Sequence, residues 1–180
     1  MSNKKQVLAI IGSASANSSN ERLMEHVANL LKPSIHTTIF NSLKSLPHFD
    51  PELSIGNPPQ QIIEFREQIE KADAVIICTP EYVFSIPSGL KNAIEWCIAT
   101  TVFSDKPCGL ITASADGRKG HEELQLILQT AMASFTPATT LLIQGVKGKI
   151  NSQGEITHEA TLDALADFSK AFASLINQTN

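Results

Sequence analysis

The sequence predicts an α/β chain, a doubly wound sandwich with a parallel sheet between two layers of helices. Two observations predict it. Five short, β-branched runs recur along the 180 residues, and those at Val7–Ile11 and Ala74–Cys78 are apolar throughout rather than alternating, as strands buried on both faces must be. Between them lie longer segments with apolar residues at helical spacing, so strand and helix alternate. At this length one domain over residues 1–180 is the simplest division, and no internal repeat or low-complexity tract argues otherwise.

Gln6–Ile11 is the first strand, and it breaks into a loop of small and hydrogen-bonding residues from Gly12 to Asn20. A helix is expected from about Glu21 to Leu31, with Leu23, Val27 and Leu30 on its buried stripe beside Met24, Ala28 and Leu31. Ser18 and Glu21 have capping-box spacing. Strand, polar loop and helix start together form an anion site, because unpaired N–H groups and the positive end of the helix dipole face the loop. Gly12, Ser13, Ser15, Ser18, Ser19 and Asn20 are the candidate phosphate-binding residues. The loop is neither a Walker loop nor a Gly-x-Gly-x-x-Gly fingerprint.

Ile35–Phe40 is the second strand. Residues 41–59 lack periodicity, carry four prolines and read as a surface excursion. From Gln60 to Lys71, Ile62, Phe65 and Ile69 mark a helix that leads to the third strand, Ala74–Cys78. Pro80 ends that strand, having no N–H for the ladder. The loop that follows holds Glu81, Tyr82, Val83, Phe84, Ser85 and Pro87, and a helix is expected from Leu90 to about Ala99 with Leu90, Ala93, Ile94 and Cys97 inward. Trp96 suits either the core or a subunit contact. Ser88-Gly-Leu-Lys91 matches a Ser-x-x-Lys pattern, but no partner motif accompanies it.

Pro107–Thr112 is the fourth strand, followed by the glycine-bearing loop Ala113–Gly120 and a helix expected from His121 to Phe135. Ser114 and Gly117 are candidates here, since small residues let backbone approach a flat ring closely. Arg118 and Lys119 suit either a dinucleotide phosphate or a solvated charge pair. Thr139–Ile143 is the fifth strand, Lys147–Gly154 a turn, and Ala160–Ile176 a closing helix with Leu162, Leu165, Phe172 and Ile176 inward. In an open parallel sheet, ligands bind at the carboxyl ends of the strands, where the loops after strands one, three and four converge.

Composition narrows the function. Net charge is −4, with 42% apolar residues and the basic residues scattered, which gives no reason to expect nucleic acid or an anionic membrane surface as partner. No apolar run reaches the ~20 residues of a membrane span, and Val7–Ile11 is too short for a signal-peptide core. A cytoplasmic location is expected. The three cysteines lack the spacing of a disulfide framework and read as small buried hydrophobes. The five histidines show no metal-ligand pairing, so no metal is expected.

Pro80-Glu-Tyr, Ser85, Pro87 and Leu90-Lys-Asn-Ala-Ile-Glu-Trp96 resemble the signature Pro-Glu-Tyr-Asn…Ser-x-Pro…Leu-Lys-Asn-Ala-Ile-Asp-Trp of the NADPH-dependent FMN reductases, a family that includes quinone, chromate and azo reductases. Gly12-Ser13…Ser18-x-Asn20 is similar to that family's phosphate loop, Gly-Ser-x-Arg-x-x-Ser-x-Asn. Ser114, Gly117 and Gly120 match its Ser-x-x-Gly-x-x-Gly, and Leu46-Pro-His-Phe-Asp50 resembles its connection after the second strand. The sequence departs from the family at two places: Ser15 stands for an Arg, and Val83 for an Asn.

The resemblance implies a flavodoxin-like three-layer sandwich with strand order 2-1-3-4-5. It implies FMN bound across the three loops, with its phosphate at Gly12–Asn20 and its ring edge at Pro80, Glu81, Tyr82, Val83 and Phe84, near Ser114 and Gly117. It further implies NADPH or NADH as hydride donor, a small-molecule electron acceptor such as a quinone, free flavin, azo compound or metal oxyanion, and a homodimer or homotetramer. Hydride transfer between nicotinamide and flavin needs no protein acid or base, so no catalytic side chain is assigned. Two other readings stay open. One is a flavodoxin-type electron carrier, though such carriers are more acidic. The other is a non-catalytic oligomeric relative that has lost flavin binding, for which Ser15 and Val83 are the motivation.

Overall fold

A computed structural model describes residues 4–178. Five strands form one sheet in the order β2-β1-β3-β4-β5: β1 Lys5–Ile11, β2 Ile35–Phe40, β3 Ala74–Thr79, β4 Cys108–Ser114 and β5 Thr140–Gln144. Every neighbouring pair is parallel. The helices are α1 Ser19–Leu31, α2 Pro51–Gly56, α3 Gln60–Lys71, α4 Ser88–Ile98, α5 Arg118–Thr130 and α6 Glu159–Gln178.

Alternation along each central strand divides the core in two. Leu8, Ile10, Val75, Ile77 and Leu110 face α3, α4 and α5, packing with Ile62, Phe65, Ile69, Leu90, Ile94 and Leu124. Val7, Ala9, Ile11, Ile76, Cys78 and Ile111 face α1 and α6, packing with Leu23, Met24, Val27, Leu165, Phe168 and Phe172. Successive side chains point to opposite faces, so a strand apolar throughout can only sit between two helical layers. This is the sandwich and the strand order expected.

Several boundaries and orientations differ from expectation, each for a local reason. Leu30 is exposed, because α1 turns its Leu23–Met24–Val27 stripe to the sheet and leaves Leu30 outside it. Residues 41–59 are more ordered than a surface excursion: a 3₁₀ turn at Leu43–Ser45 and α2 both lie there, and Leu43 and Leu46 are buried. Asp50 starts α2 by accepting a hydrogen bond from the Glu52 amide at 2.9 Å, with Pro51 at the first helical position. The fifth helix begins earlier than its apolar pattern, since Gly117 adopts φ +84° and launches it. It also ends five residues early. Met132 takes φ +60°, and Ser134 pairs beside β4, donating to the Lys106 carbonyl and accepting from the Cys108 amide. Leu162 is only half-buried, and Phe168 takes the inward place on α6.

Candidate functional site

A cleft of about 700 Å³ opens at the carboxyl end of the sheet, within the range of small-molecule sites. One wall is the loop after β1, Gly12 to Asn17; a second is Asn41–Lys44 after β2 with Leu46 and His48; the third is Tyr82 with the start of α4, Pro87, Ser88, Gly89 and Asn92.

The first wall is fixed at its root. The Gly12 amide donates to the Cys78 carbonyl at 2.8 Å, carrying the sheet ladder one residue past β1. A Cβ at Gly12 would lie 2.2 Å from Thr79 Oγ1, so only glycine lets the chain leave the sheet here. Beyond Gly12 the loop side chains are largely exposed until Ser18. Ser18 caps α1, its hydroxyl accepting from the Glu21 amide at 3.2 Å. The return arm differs from a strict capping box: Glu21 Oε2 accepts from the Asn17 amide at 2.9 Å, one residue earlier, while Oε1 accepts from Asn41 Nδ2 at 3.0 Å. Glu21 thereby ties the β1 loop to the β2 loop and places a carboxylate on the cleft.

The third wall is a two-residue hairpin. Tyr82 and Ser85 exchange both backbone hydrogen bonds, at 2.9 and 3.0 Å. Val83 and Phe84 at its tip have φ +51° and +60°. Positive φ at both central residues is the type I′ pattern, which favours Asn-Gly and disfavours a β-branched residue. Their side chains are 94% and 75% exposed.

Two carboxylates hold this hairpin. Glu81 accepts from the Gly120 amide at 2.8 Å and the Gly117 amide at 3.3 Å, at the positive end of α5, and its carbonyl accepts from Ser114 Oγ at 3.4 Å. A Cβ on Gly120 would come within 3.2 Å of Glu81 Cβ. In return, Glu123 of α5 accepts from Ser85 Oγ at 2.6 Å and the Ile86 amide at 2.8 Å, with Lys91 Nζ at 3.6 Å. Burial alone would raise the Glu123 carboxyl, but these hydrogen bonds and the Lys91 charge outweigh it and hold it below the usual range.

The helix signature near Trp96 has a related task. Asn92 Oδ1 accepts from the Phe49 amide at 2.7 Å and its Nδ2 donates to the Pro47 carbonyl at 2.9 Å, which also accepts from the Trp96 indole at 2.9 Å. Trp96 is wholly buried, edge-on to Phe49 at 5.3 Å, which settles its place in the core. Its carbonyl accepts from the Arg66 guanidinium, which also reaches the Ser54 carbonyl and hydroxyl. Together these contacts brace the stretch from Leu46 to Phe49 against the cleft.

Of the residues singled out from sequence, Gly12, Ser13, Ser15 and Tyr82 line the cleft. Ser19 lines a smaller hollow of about 440 Å³ behind the loop, with Arg22 and Lys147. Ser18 is the helix cap. Asn20 is buried and inward, its Nδ2 donating to the Ala113 carbonyl at 3.2 Å while its own oxygens receive the Cys78 thiol. Pro80 is buried, Glu81 is the tether, and Val83 and Phe84 are the exposed tip. Ser114 and Gly117 join the hairpin through Glu81 and are not among the cleft's lining residues. Arg118 and Lys119 pair with Asp116 at 3.6 Å and Glu122 at 2.7 Å. The three cysteines are buried, and burial pushes the Cys97 and Cys108 thiols up to about 12. Among the described residues no cluster of potential metal ligands occurs, and no helix is long and apolar enough to cross a membrane.

Sequence reasoning missed Asn41, Lys44, His48 and Glu123, and it gave Glu21 and Asn92, which it had named within motifs, no place at the cleft. Strand order was the available signal for three of them, since β2 lies next to β1 and its outgoing loop must flank the β1 loop.

The site's residues suit a phosphorylated planar ring. The loop residues are small, the Ser13 and Ser15 hydroxyls lie beside Asn17 and Glu21 at one end, and the aromatic side chain of Tyr82 stands at the other.

Comparison with known proteins gives the family. The family model for NADPH-dependent FMN reductase matches residues 6–146. The chain is 29% identical to the quinone reductase of Escherichia coli over 185 aligned residues, covering 99% of this chain and 98% of that protein. It is 34% identical to an NAD(P)H-dependent FMN reductase of Pseudomonas aeruginosa over 135 residues, covering 73% and 71%. Among solved structures, the flavoenzyme NAD(P)H:(acceptor) oxidoreductase FerB from Paracoccus denitrificans superposes with a TM-score of 0.84 at 26% identity, covering 97% of this chain and 98% of that one. A WrbA-like flavodoxin from Agrobacterium tumefaciens, at TM-score 0.67 and 16% identity, shares the fold. A match across most of the chain, on the fold and signature described above, makes this protein a member of the NADPH-dependent FMN reductase family.

Proposed function

We propose that the protein is an NAD(P)H-dependent flavin oxidoreductase that reduces a small acceptor of the quinone type, and that the 700 Å³ cleft is its FMN site. The observation that carries this reading is the position of the cleft, between the N-terminus of α1 and the braced Tyr82 hairpin. FMN held there would supply the redox chemistry, hydride acceptance from a nicotinamide and electron donation to the acceptor.

The chain's own contributions are binding and orientation. The hydroxyls of Ser13 and Ser15 and backbone N–H groups of the β1 loop from Gly12 to Asn17 hold the phosphate end. The hairpin backbone from Glu81 to Phe84, kept in place by Glu81 and Glu123, presents N–H and carbonyl groups to the ring edge. Tyr82, 41% exposed, stands as an aromatic wall. Asn92 and Trp96 keep the far wall from moving. No side chain is assigned proton transfer.

As assembly we propose one domain over residues 1–180 in a homodimer or homotetramer, with exposed Ile98, Leu126 and Met132 as apolar surface for the contact. Free, buried thiols agree with a cytoplasmic setting. Purified protein should be yellow, or become so with FMN, bleach when NADPH is added under nitrogen, and recover colour with benzoquinone. A protein that leaves the FMN spectrum unchanged, or binds it but never oxidises NADPH, overturns the reading. Sedimentation equilibrium tests the assembly.

A further inference from the structure

We infer that Lys44 is the counter-charge for a phosphate monoester in the cleft, a reading that rests on the nucleotide site proposed above. From Gly12 to Asn20 the β1 loop contains only Gly, Ser, Ala and Asn, so it offers a dianion neutral donors alone. The one lysine or arginine lining the cleft is Lys44, in the turn after β2. Among the described residues the Lys44 side chain makes no ion pair or hydrogen bond, whereas Arg22, Lys91, Arg118 and Lys119 each face a carboxylate within 3.6 Å. The other titratable groups on the cleft are Glu21, His48 and the Tyr82 phenol. Glu21 works against an anion, because its carboxylate is negative and already takes up the Asn17 amide. Lysine and glutamate offset each other; without Lys44, a dianion would meet the Glu21 carboxylate with no ammonium on the cleft to balance it.

Position supports this assignment. Glu21 ties Asn17 to Asn41 through its two oxygens, which draws the turn bearing Lys44 against the phosphate loop. An ammonium on a flexible stem acts as a point charge, so it can serve without the fixed geometry of a guanidinium fork.

Two phosphate monoesters could meet Lys44: the 5′-phosphate of FMN, or the 2′-phosphate that separates NADPH from NADH. The test is binding by flavin fluorescence quenching, with FMN against riboflavin, and dinucleotide titration, with NADPH against NADH, for wild type, Lys44→Ala, Lys44→Arg and Lys44→Ala combined with Ser15→Arg. Lys44 is exposed, so the variants should fold. For FMN, Lys44→Ala is expected to lose about tenfold in affinity while riboflavin is unchanged, as for removal of one charge-assisted contact. Lys44→Arg should retain affinity and Ser15→Arg should restore it. The wild-type advantage should shrink as salt rises. Collapse of the NADPH preference alone would assign the same role to the dinucleotide phosphate. If Lys44→Ala leaves both the FMN/riboflavin and the NADPH/NADH ratios untouched in a protein that binds flavin, the inference fails and the site stands. A wild type that binds neither flavin overturns the site and the inference with it.

Discussion

The two loops that face each other across the cleft are built in opposite ways. The hairpin after β3 is held before any ligand arrives: Glu81 reaches out to the α5 amides, Glu123 reaches back to Ser85 and Ile86, and Gly120 leaves room for the contact. The loop after β1 is secured at Gly12 and again by Glu21 at Asn17, with exposed small residues between. One wall is a rigid template and the other is a set of donors waiting for a partner. In the proposed binding mode this pre-organised wall is the one that meets the ring, which protects geometry where small displacements cost most. A phosphate end tolerates more play, because many weak donors share the load.

Substitutions can break or sharpen this contrast. Gly12→Ala should have the largest effect. The new methyl would meet Thr79 Oγ1 at 2.2 Å and Leu90 Cδ2 at 3.0 Å, both wholly buried, so the cost is expected at about 3 kcal/mol in urea unfolding. Unchanged stability would mean the root of the β1 loop is looser than described.

Glu123→Gln comes next, at about 1–2 kcal/mol, since Ser85 and Ile86 would keep a weaker, neutral acceptor and Lys91 would lose its partner. Its pH dependence is a sharper check. The Glu123 carboxyl titrates lower folded than unfolded, so its contribution is complete above the unfolded value of about 4.3 and is lost as pH falls through the folded one. The variant should therefore lose less stability than wild type on acidification below about pH 4. Parallel acid limbs for the two proteins would remove Glu123 from the clamp.

The smallest effect is a gain. Val83→Asn with Phe84→Gly places favoured residues at φ +51° and +60°, and should stabilise the protein by about 1 kcal/mol in the same assay. A loss would show that the apolar tip has a packing partner.

The layers of the fold were plain in the sequence because burial on both faces demands uninterrupted apolar runs, and Val7–Ile11 and Ala74–Cys78 have no other reading. Helix ends were less plain. Gly117 and Met132 bound the fifth helix through backbone conformation, which apolar periodicity does not report. At the site, Gly12, Ser13, Ser15 and Tyr82 were recognisable from their place after strands. Glu123 was not, since it meets Ser85 across 38 residues and on an exposed helix looks like any other acid. Glu81 and Asn20 carried the right motif with a different task, because a side chain's partner is decided by packing rather than by the motif's letters. Lys44 sat in a stretch whose prolines hid a cleft wall.

Trp96 has one more consequence. It is the chain's lone indole, sealed from solvent, with its N–H engaged by Pro47 and its ring against Phe49 beside the cleft. Its emission therefore reports from a single, known location and overlaps the near-ultraviolet absorption of any isoalloxazine brought nearby. The molecule carries its own optical gauge: resonance energy transfer from this one donor would register arrival of the chromophore without a label, and a red shift would register loosening of the wall itself.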